Sequence, residues 1–309
     1  MALLFKSDSD RVDWWRRELK ERMPDMEVRF WPEVGNPAEI EFALVWNMPH
    51  GALARFPHLR AIFSLGAGVD HLFADPTLPR QVPICRVVDK LLTQRMTEYV
   101  VLHVLRYHRR QPELEELQRR GEWNELYSPT AGERRVGIMG LGELGADAAR
   151  HLAALGFKVA GWSRSPKALA GIESFHGSAG RAAFLAGCEI LVCLLPLTRE
   201  TEGILDKALF AGLPKGAVLI NAARGKHLVE ADLLAALASG QLAYAALDVF
   251  HQEPLPPAHP FWRHPRITLS PHIASLTDPR TISATVAENV RRQRAGEPLL
   301  YVVDAELGY

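Results

Sequence analysis

A glycine-rich turn between a strand pattern and a helix pattern is the feature that most restricts how this chain can fold. The turn spans residues 140–145 and reads GLGELG. A strand, a GxGxxG turn and a helix in this order are typical of the first βα unit of a Rossmann-type domain. Gly140 would permit the tight turn, Gly142 would let a pyrophosphate approach the backbone, and Gly145 would let the helix pack closely on the strand. The turn therefore predicts a dinucleotide site.

The strand pattern after the turn ends without an acidic residue. About twenty residues beyond the glycines, an NAD site usually offers Asp or Glu to the adenosine ribose. This chain instead has Ser163 and Arg164 at that point, with Lys167 nearby. No carboxylate is present to repel a phosphate and two cations are present to bind one, so the sequence favours NADPH, with NADH possible. The alternative is that Arg164 only points to solvent.

Further candidate cofactor contacts lie in loops that follow later strand patterns. Leu195 and Pro196 would lie beside the nicotinamide, although a structural turn suits them equally. Asp248 would meet the carboxamide or only cap a turn. The cofactor candidates together are Gly140, Gly142, Glu143, Leu144, Gly145, Ser163, Arg164, Lys167, Leu195, Pro196, Ala222 and Asp248.

Three residues downstream of the turn are candidates for the chemistry. Arg224 follows the strand pattern 217–220, and a guanidinium fork matches a carboxylate with two parallel hydrogen bonds. His272 follows the strand pattern 267–269, and a carboxylate such as Glu253 on its other ring nitrogen would favour the protonated imidazole and orient the ring. Each residue alone also suits a loop cap, a solvated charge or a structural ion pair.

The composition is that of an ordinary globular protein. The chain has 309 residues, of which 48% are hydrophobic and 23% charged, and its formal net charge is zero. This balance argues against a nucleic acid or an anionic membrane as partner. The start at Met1–Phe5 is too short for a signal-peptide core and no stretch has the length of a membrane span, so a cytoplasmic protein is expected. Cys85, Cys188 and Cys193 form no CxxC pair, which argues against a disulfide framework and a thiolate metal site.

Two alternations of strand and helix patterns predict two domains. The first runs through the strand patterns 2–5, 27–30, 42–46, 61–65 and 82–86, and the second begins near Arg135. A helix pattern covers 96–110, and the tail after Thr277 is too short to bury a core of its own. We expect an α/β protein with two doubly wound parallel sheets: a smaller, flavodoxin-like substrate domain (1–95 and 278–309) and a Rossmann-type dinucleotide domain (96–277), with a cleft between them.

Short segments along nearly the whole chain match one family. They are 43–46 (ALVW), 65–70 (LGAGVD), the glycine turn, 162–164 (WSR), 194–198 (LLPLT), 223–225 (ARG), 247–250 (LDVF), 253–257 (EPLPP) and 271–272 (PH). In these segments the chain resembles the D-2-hydroxyacid dehydrogenase family, and within it the glyoxylate/hydroxypyruvate reductase A branch.

The resemblance implies roles for particular residues. Arg224 would bind the substrate, His272 would be the acid/base and Glu253 would support the histidine. Trp46 would line the substrate pocket, and the backbone amides of Gly66, Ala67, Gly68 and Val69 would receive the substrate carboxylate. Family members are usually homodimers joined through the nucleotide domain near the helix pattern 96–110, although that pattern also suits an ordinary core helix.

The predicted reaction is the NADPH-dependent reduction of small 2-oxoacids, glyoxylate to glycolate and hydroxypyruvate to D-glycerate, with His272 as general acid. Two alternatives stay open at this point. One is a nucleotide-sensing protein like the corepressors that share this fold, and the other is a dehydrogenase of a larger 2-oxoacid.

Overall fold

The chain forms two compact units. The structure is a computed structural model that describes residues 1–7 and 12–308. One unit comprises Met1–Leu92 and Thr277–Tyr309, and the other comprises Thr93–Leu276. The sequence assigns the substrate to residues 1–95 with 278–309 and the dinucleotide to residues 96–277. This assignment stays a prediction at this point.

The first unit is built on a parallel sheet. Its elements are β1 (Ala2–Lys6), α1 (Val12–Arg22), β2 (Glu27–Phe30), β3 (Ile40–Val45), β4 (Ala61–Ser64), α2 (Asp70–Phe73) and β5 (Ile84–Cys85). The strands run in the order β2-β1-β3-β4-β5, and each neighbouring pair is parallel. This is the flavodoxin-like order, and the prediction for this sheet is confirmed.

The second unit carries a larger parallel sheet in the order β12-β11-β10-β9-β6-β7-β8. Its elements are α3 (Lys90–His108), α4 (Gln111–Arg120), β6 (Arg135–Met139), α5 (Glu143–Ala154), β7 (Lys158–Ser163), β8 (Glu173–His176), α6 (Gly177–Leu185), β9 (Ile190–Cys193), α7 (Lys207–Ala211), β10 (Ala217–Asn221), α8 (Glu230–Ser239), β11 (Leu242–Leu247) and β12 (Ile267–Leu269). Because the order reverses between β6 and β9, this is the Rossmann arrangement that the glycine turn predicts. The chain then returns to the first unit with α9 (Pro279–Ala295), which packs on α1.

The central strands of the second sheet are buried on both faces. Successive residues of a strand point to opposite faces, and Ile138, Val192 and Ile220 accordingly belong to one apolar cluster. Their chain neighbours Met139, Leu191 and Leu219 belong to a second cluster. Burial of each such side chain stabilises the fold by about 1.5–3 kcal/mol. A parallel sheet covered on both faces explains why these strands read as continuous apolar runs.

Two elements differ from the sequence interpretation. Residues 111–120 form helix α4, which has Pro112 in its first turn and is capped at its C-terminus by Gly121, whose φ of 66° is left-handed. A proline in the first turn and a glycine at the C-cap are ordinary signals of helix ends, but this helix was not predicted from the sequence. Strand β8 at the sheet edge was also missed, because its residues are exposed or half-buried and show no apolar run. Among the described residues, no helix is both long and apolar enough to cross a membrane.

Candidate active site

The strands of the second sheet end level with one another, and this brings the candidate loops to one edge. The register pairs at the strand ends are Trp162 with Met139, Met139 with Cys193, Cys193 with Asn221, Asn221 with Leu247, and Leu247 with Leu269. In a parallel sheet all carboxyl ends share one edge, where open α/β sheets bind ligands. The glycine turn and the loops that carry Pro196, Arg224, Glu253 and His272 therefore lie side by side.

The structure joins His272 to Glu253 directly. His272 Nδ1 lies 2.6 Å from Glu253 Oε2, and both side chains are 35% exposed. The second carboxylate oxygen, Oε1, accepts a hydrogen bond from the Phe250 backbone N–H at 2.9 Å. The carboxylate thus holds the Nδ1 side of the His272 ring.

The pKa of Glu253 is lowered. Burial raises this pKa, but the hydrogen bond and charge of His272, the amide of Phe250 and the charge of Arg224 together outweigh burial. Glu253 is therefore a carboxylate at neutral pH. Since the folded-state pKa lies below the ordinary value, the pair's contribution to stability is lost only as the pH falls through that lowered pKa.

Arg224 stands on a loop that packs tightly against the loop carrying Glu253. A Cβ added at Gly225 would lie 1.9 Å from the carbonyl carbon of Phe250, so only glycine fits there. The guanidinium Nη1 of Arg224 donates to the Ala223 carbonyl at 2.7 Å. Together with its effect on the pKa of Glu253, this places Arg224 beside the His272–Glu253 pair.

The backbone of His272 is left-handed, with φ 53°. A left-handed residue other than glycine costs about 1–2 kcal/mol, so neighbouring contacts must hold it. The His272 N–H donates to the Asp248 carbonyl at 2.8 Å. The Asp248 carboxylate accepts from Ser270 Oγ at 2.6 Å and from the backbone N–H groups of Ile273 and Ala274 at 2.9 and 2.8 Å. Asp248 therefore holds the histidine loop from both sides.

Asp248 and the half-buried Tyr99 support the histidine loop through Ser270, and of the two only Tyr99 was not singled out from the sequence. The Asp248 side chain is 1% exposed, and burial raises its pKa against the lowering effect of its three hydrogen bonds. Tyr99 on α3 places its hydroxyl 2.9 Å from Ser270 Oγ. The carboxamide contact predicted for Asp248 stays a prediction, and the turn-capping alternative describes the contacts that the structure shows.

The glycine turn forms a cradle for an anion at the start of α5. Gly140 has φ 100°, and a Cβ at Gly145 would lie 1.8 Å from the Gly140 carbonyl oxygen, so both positions require glycine. Gly142 is the N-cap of α5, and a Cβ at this position would meet nothing within 4 Å. The open space faces the helix N-terminus, where backbone N–H groups attract a pyrophosphate. These residues fit a dinucleotide, with Glu143 and Leu144 in the first turn.

The end of β7 carries the residues predicted to meet the adenosine ribose. The Trp162 carbonyl accepts from the Gly140 N–H at 2.8 Å, so this strand end adjoins the glycine turn. Ser163 is buried and its hydroxyl donates to the Ser165 carbonyl at 2.8 Å, whereas Arg164 and Lys167 are exposed. Two exposed cations in the segment that follows this strand end suit a ribose phosphate.

The loop after β9 holds the candidates for the nicotinamide side. Leu195 and Ala222 are buried, and the Ala222 N–H lies 3.4 Å from the Cys193 carbonyl oxygen. The Pro196 carbonyl accepts from Thr201 Oγ1 at 2.7 Å. The structure places these residues at the same sheet edge as the turn, and their contact with the nicotinamide stays a prediction.

The candidate substrate residues of the first unit follow two neighbouring strands. Trp46 comes after β3, and the loop of Gly66, Ala67, Gly68 and Val69 comes after β4. A Cβ at Gly66 would lie 2.6 Å from the Trp46 ring, so the two are in close contact. The Gly66 N–H donates to Ser64 Oγ at 3.2 Å, and Ser64 Oγ donates to the Gly68 carbonyl at 2.9 Å. The Gly66 amide is therefore engaged within its own loop, and the carboxylate contacts predicted for 66–69 stay a prediction.

Known proteins share both the sequence and the fold of this chain. The family model of the D-isomer specific 2-hydroxyacid dehydrogenase, NAD binding domain, matches residues 101–274. A protein of Serratia proteamaculans named glyoxylate/hydroxypyruvate reductase A is 47% identical over the full length of both chains.

Two solved structures superimpose over the whole chain. A D-isomer specific 2-hydroxyacid dehydrogenase from Xanthobacter autotrophicus, in complex with NADPH and MES, has a TM-score of 0.95 and 47% identity, over 100% of this chain and 99% of that one. An NADPH-dependent glyoxylate/hydroxypyruvate reductase from Sinorhizobium meliloti, in complex with NADP and sulfate, has a TM-score of 0.94 and 41% identity over 100% of both. The chain belongs to the D-isomer specific 2-hydroxyacid dehydrogenase family, in the branch of the glyoxylate/hydroxypyruvate reductases A.

Proposed function

We propose that this protein catalyses the NADPH-dependent reduction of small 2-oxoacids, glyoxylate to glycolate and hydroxypyruvate to D-glycerate. The observation that carries the proposal is the His272–Glu253 pair beside Arg224, at the same sheet edge as the dinucleotide cradle. The name of the Serratia relative and the NADP in the Sinorhizobium structure support both the substrates and the cofactor.

The residues divide the reaction between them. When bound, NADPH supplies the hydride that reduces C2 of the oxoacid. Arg224 binds the substrate carboxylate with its fork and stabilises the negative charge that develops on the carbonyl oxygen. His272, held through Nδ1 by Glu253, donates the Nε2 proton to that oxygen, so the hydride and the proton together complete the alcohol. Trp46 and the loop 66–69 are proposed to complete the substrate contacts.

The experiment that tests this function is the initial rate of absorbance loss at 340 nm. Glyoxylate and hydroxypyruvate are each supplied with NADPH and with NADH. We expect fast oxidation of NADPH with both substrates and much slower oxidation of NADH. Turnover with longer 2-oxoacids and none with these two would show that the substrate is a larger 2-oxoacid. A dinucleotide-dependent change in oligomer size without any turnover would replace it with a sensing role.

Arg164→Ala is expected to raise the KM for NADPH and to leave the KM for NADH nearly unchanged. The guanidinium is proposed to bind the ribose phosphate, and a charge-assisted hydrogen bond contributes about 1.5–3 kcal/mol, so the increase is roughly tenfold to a hundredfold. The control is Arg181→Ala, which removes an exposed cation from helix α6 of the same unit. Equal changes in both KM values, or none in either, would remove Arg164 from the cofactor site.

We further propose that the protein is a homodimer joined through the second unit. Large apolar side chains are exposed there in one stretch of the chain: Trp123 is 96%, Tyr127 is 77% and Leu102 on α3 is 60% exposed. Exposed aromatic residues of this size are typical of protein interfaces. Light scattering is expected to give twice the mass of the chain, and Trp123→Ser with Tyr127→Ser is expected to give a monomer. Trp262→Ser, at a site 52% exposed, is the control and should stay dimeric.

We also propose a cytoplasmic location. Cys85, Cys188 and Cys193 are free and buried, and burial raises the pKa of each thiol to about 12. Protonated, unreactive thiols suit a reducing compartment. Fractionation of the source cells should recover the activity with a cytoplasmic marker, and recovery in an extracytoplasmic fraction would contradict this location.

A further inference from the structure

The buried imidazole of His227 contacts both of the loops on which the proposed function depends, although it takes no part in the proton transfer. His227 ends a short 3-10 turn directly after Arg224, and it is 0% exposed. Its Nε2 lies 3.2 Å from the Pro196 carbonyl oxygen, and its Nδ1 lies 3.2 Å from the Arg224 backbone nitrogen. One side chain thus links the proposed nicotinamide loop to the proposed substrate anchor.

These partners determine which ring nitrogen of His227 carries a proton. A carbonyl oxygen only accepts, so Nε2 donates to Pro196, and a backbone N–H only donates, so Nδ1 accepts from Arg224. Nδ1 also lies 3.2 Å from the Arg224 carbonyl oxygen, but that oxygen accepts from the Asn221 side chain at 3.1 Å and from the His227 N–H at 3.2 Å. These contacts match an imidazole that carries its proton on Nε2.

The loop at Pro196 and the loop at Arg224 are each held by contacts of their own, and His227 adds a contact between them. Thr201 Oγ1 donates to the Pro196 carbonyl at 2.7 Å and accepts from the Thr198 N–H at 2.8 Å, which shapes the first loop. Gly225 packs against the Phe250 carbonyl, which holds the second loop against the residues leading to Glu253. The carbonyl of Pro196 uses its second lone pair for His227.

We infer that His227 is a positioning residue that couples the nicotinamide-side loop at Pro196 to the substrate anchor Arg224. The inference rests on the proposed function, which assigns those two roles. Hydride transfer requires both reactants to be held in one geometry, and a shift of about 1 Å from a distant change can cost about a hundredfold in rate. A buried link between the two loops keeps that geometry without touching either ligand.

The test uses two variants that each keep one half of the link. His227→Asn places an amide oxygen near the position of Nδ1 and keeps the acceptor for Arg224, but it does not reach Pro196. His227→Gln places an amide nitrogen near the position of Nε2 and keeps the donor to Pro196. We expect the Asn variant to raise mainly the KM for NADPH and the Gln variant to raise mainly the KM for glyoxylate, each by about tenfold.

A third variant and a control complete the series. His227→Leu removes both contacts at similar volume and should lower kcat by roughly tenfold to a hundredfold. His259→Gln, at a half-buried histidine of the same unit that contacts Glu230 at 3.2 Å, should change neither KM. Nitrogen-15 spectra of histidine-labelled protein, with the Leu variant for assignment, should show a bare Nδ1 and a protonated Nε2.

The outcomes separate this inference from the function on which it rests. An inactive parent enzyme would overturn the proposed function and the inference with it. An active parent whose Asn and Gln variants change both KM values together, in step with a lower melting temperature, would overturn the inference alone. A proton found on Nδ1 of His227 would do the same.

Discussion

Replacement of His272 with asparagine is expected to lower kcat for glyoxylate reduction by about a hundredfold to ten-thousandfold, the usual contribution of a general acid. Asparagine suits this position because it tolerates the left-handed φ of 53° better than most residues, and its amide still reaches toward Glu253. The fold and the loop are therefore preserved while the transferable proton is lost. The measurement is steady-state kinetics, with the melting temperature recorded alongside.

Two further variants make this result specific. Glu253→Gln keeps a hydrogen-bonding group beside Nδ1 but removes the negative charge, so we expect a smaller loss of kcat than in the His272→Asn protein. His151→Ala, at a histidine of α5 whose side chain is 60% exposed, is the matched control and should behave like the parent. Parent-like turnover in the His272→Asn protein would exclude His272 as the general acid.

Arg224→Lys is expected to raise the KM for glyoxylate and to lower kcat, with kcat/KM reduced by roughly tenfold to a hundredfold. Lysine keeps the positive charge but offers a point charge in place of two parallel donors, and the loss of one charge-assisted hydrogen bond costs about 1.5–3 kcal/mol. The loss in kcat follows because the same group stabilises charge on the carbonyl oxygen in the transition state.

The matched control for Arg224 is Lys226→Ala, which removes an exposed cation two residues away. If the site needs only a positive charge, Arg224→Lys should leave kcat/KM nearly unchanged and Lys226→Ala should lower it. If the site needs the guanidinium fork, Arg224→Lys should lower kcat/KM and Lys226→Ala should leave it nearly unchanged. Kinetics identical to the parent in the Arg224→Lys protein would move Arg224 out of the site.

Most of the regular structure could be predicted where the local pattern was strong. Strands β2 and β12 have the bounds that the strand patterns 27–30 and 267–269 predict, and helix α5 begins in the glycine turn. Helix α3 begins six residues before the pattern that predicts it, because Lys90–Arg95 includes polar residues that hide its start. Strand β8 has no buried residue and helix α4 buries only Leu117, so neither contains an apolar run.

The support of the site could not be predicted in the same way. Ser270 and Tyr99 are 171 residues apart in the chain, and no local pattern relates a tyrosine on one face of α3 to a loop hydroxyl. His227 lies in the polar-looking run Gly225-Lys226-His227, and its complete burial depends on how that turn packs against the loop at Pro196. A solvated histidine and a buried one look the same in sequence.

The sequence by itself determined the parallel α/β architecture, the dinucleotide cradle and the identity of Arg224, Glu253 and His272 as candidates. These follow from properties of short segments. Side chains alternate along a strand, glycine allows a left-handed φ in a tight turn, and polar residues directly after a strand pattern lie in a loop at the sheet edge. Only the tertiary structure decided the level strand ends and the partners of Asp248 and His227. Those depend on which distant segments bury one another, because a buried polar group must find its hydrogen-bond partner wherever packing brings one.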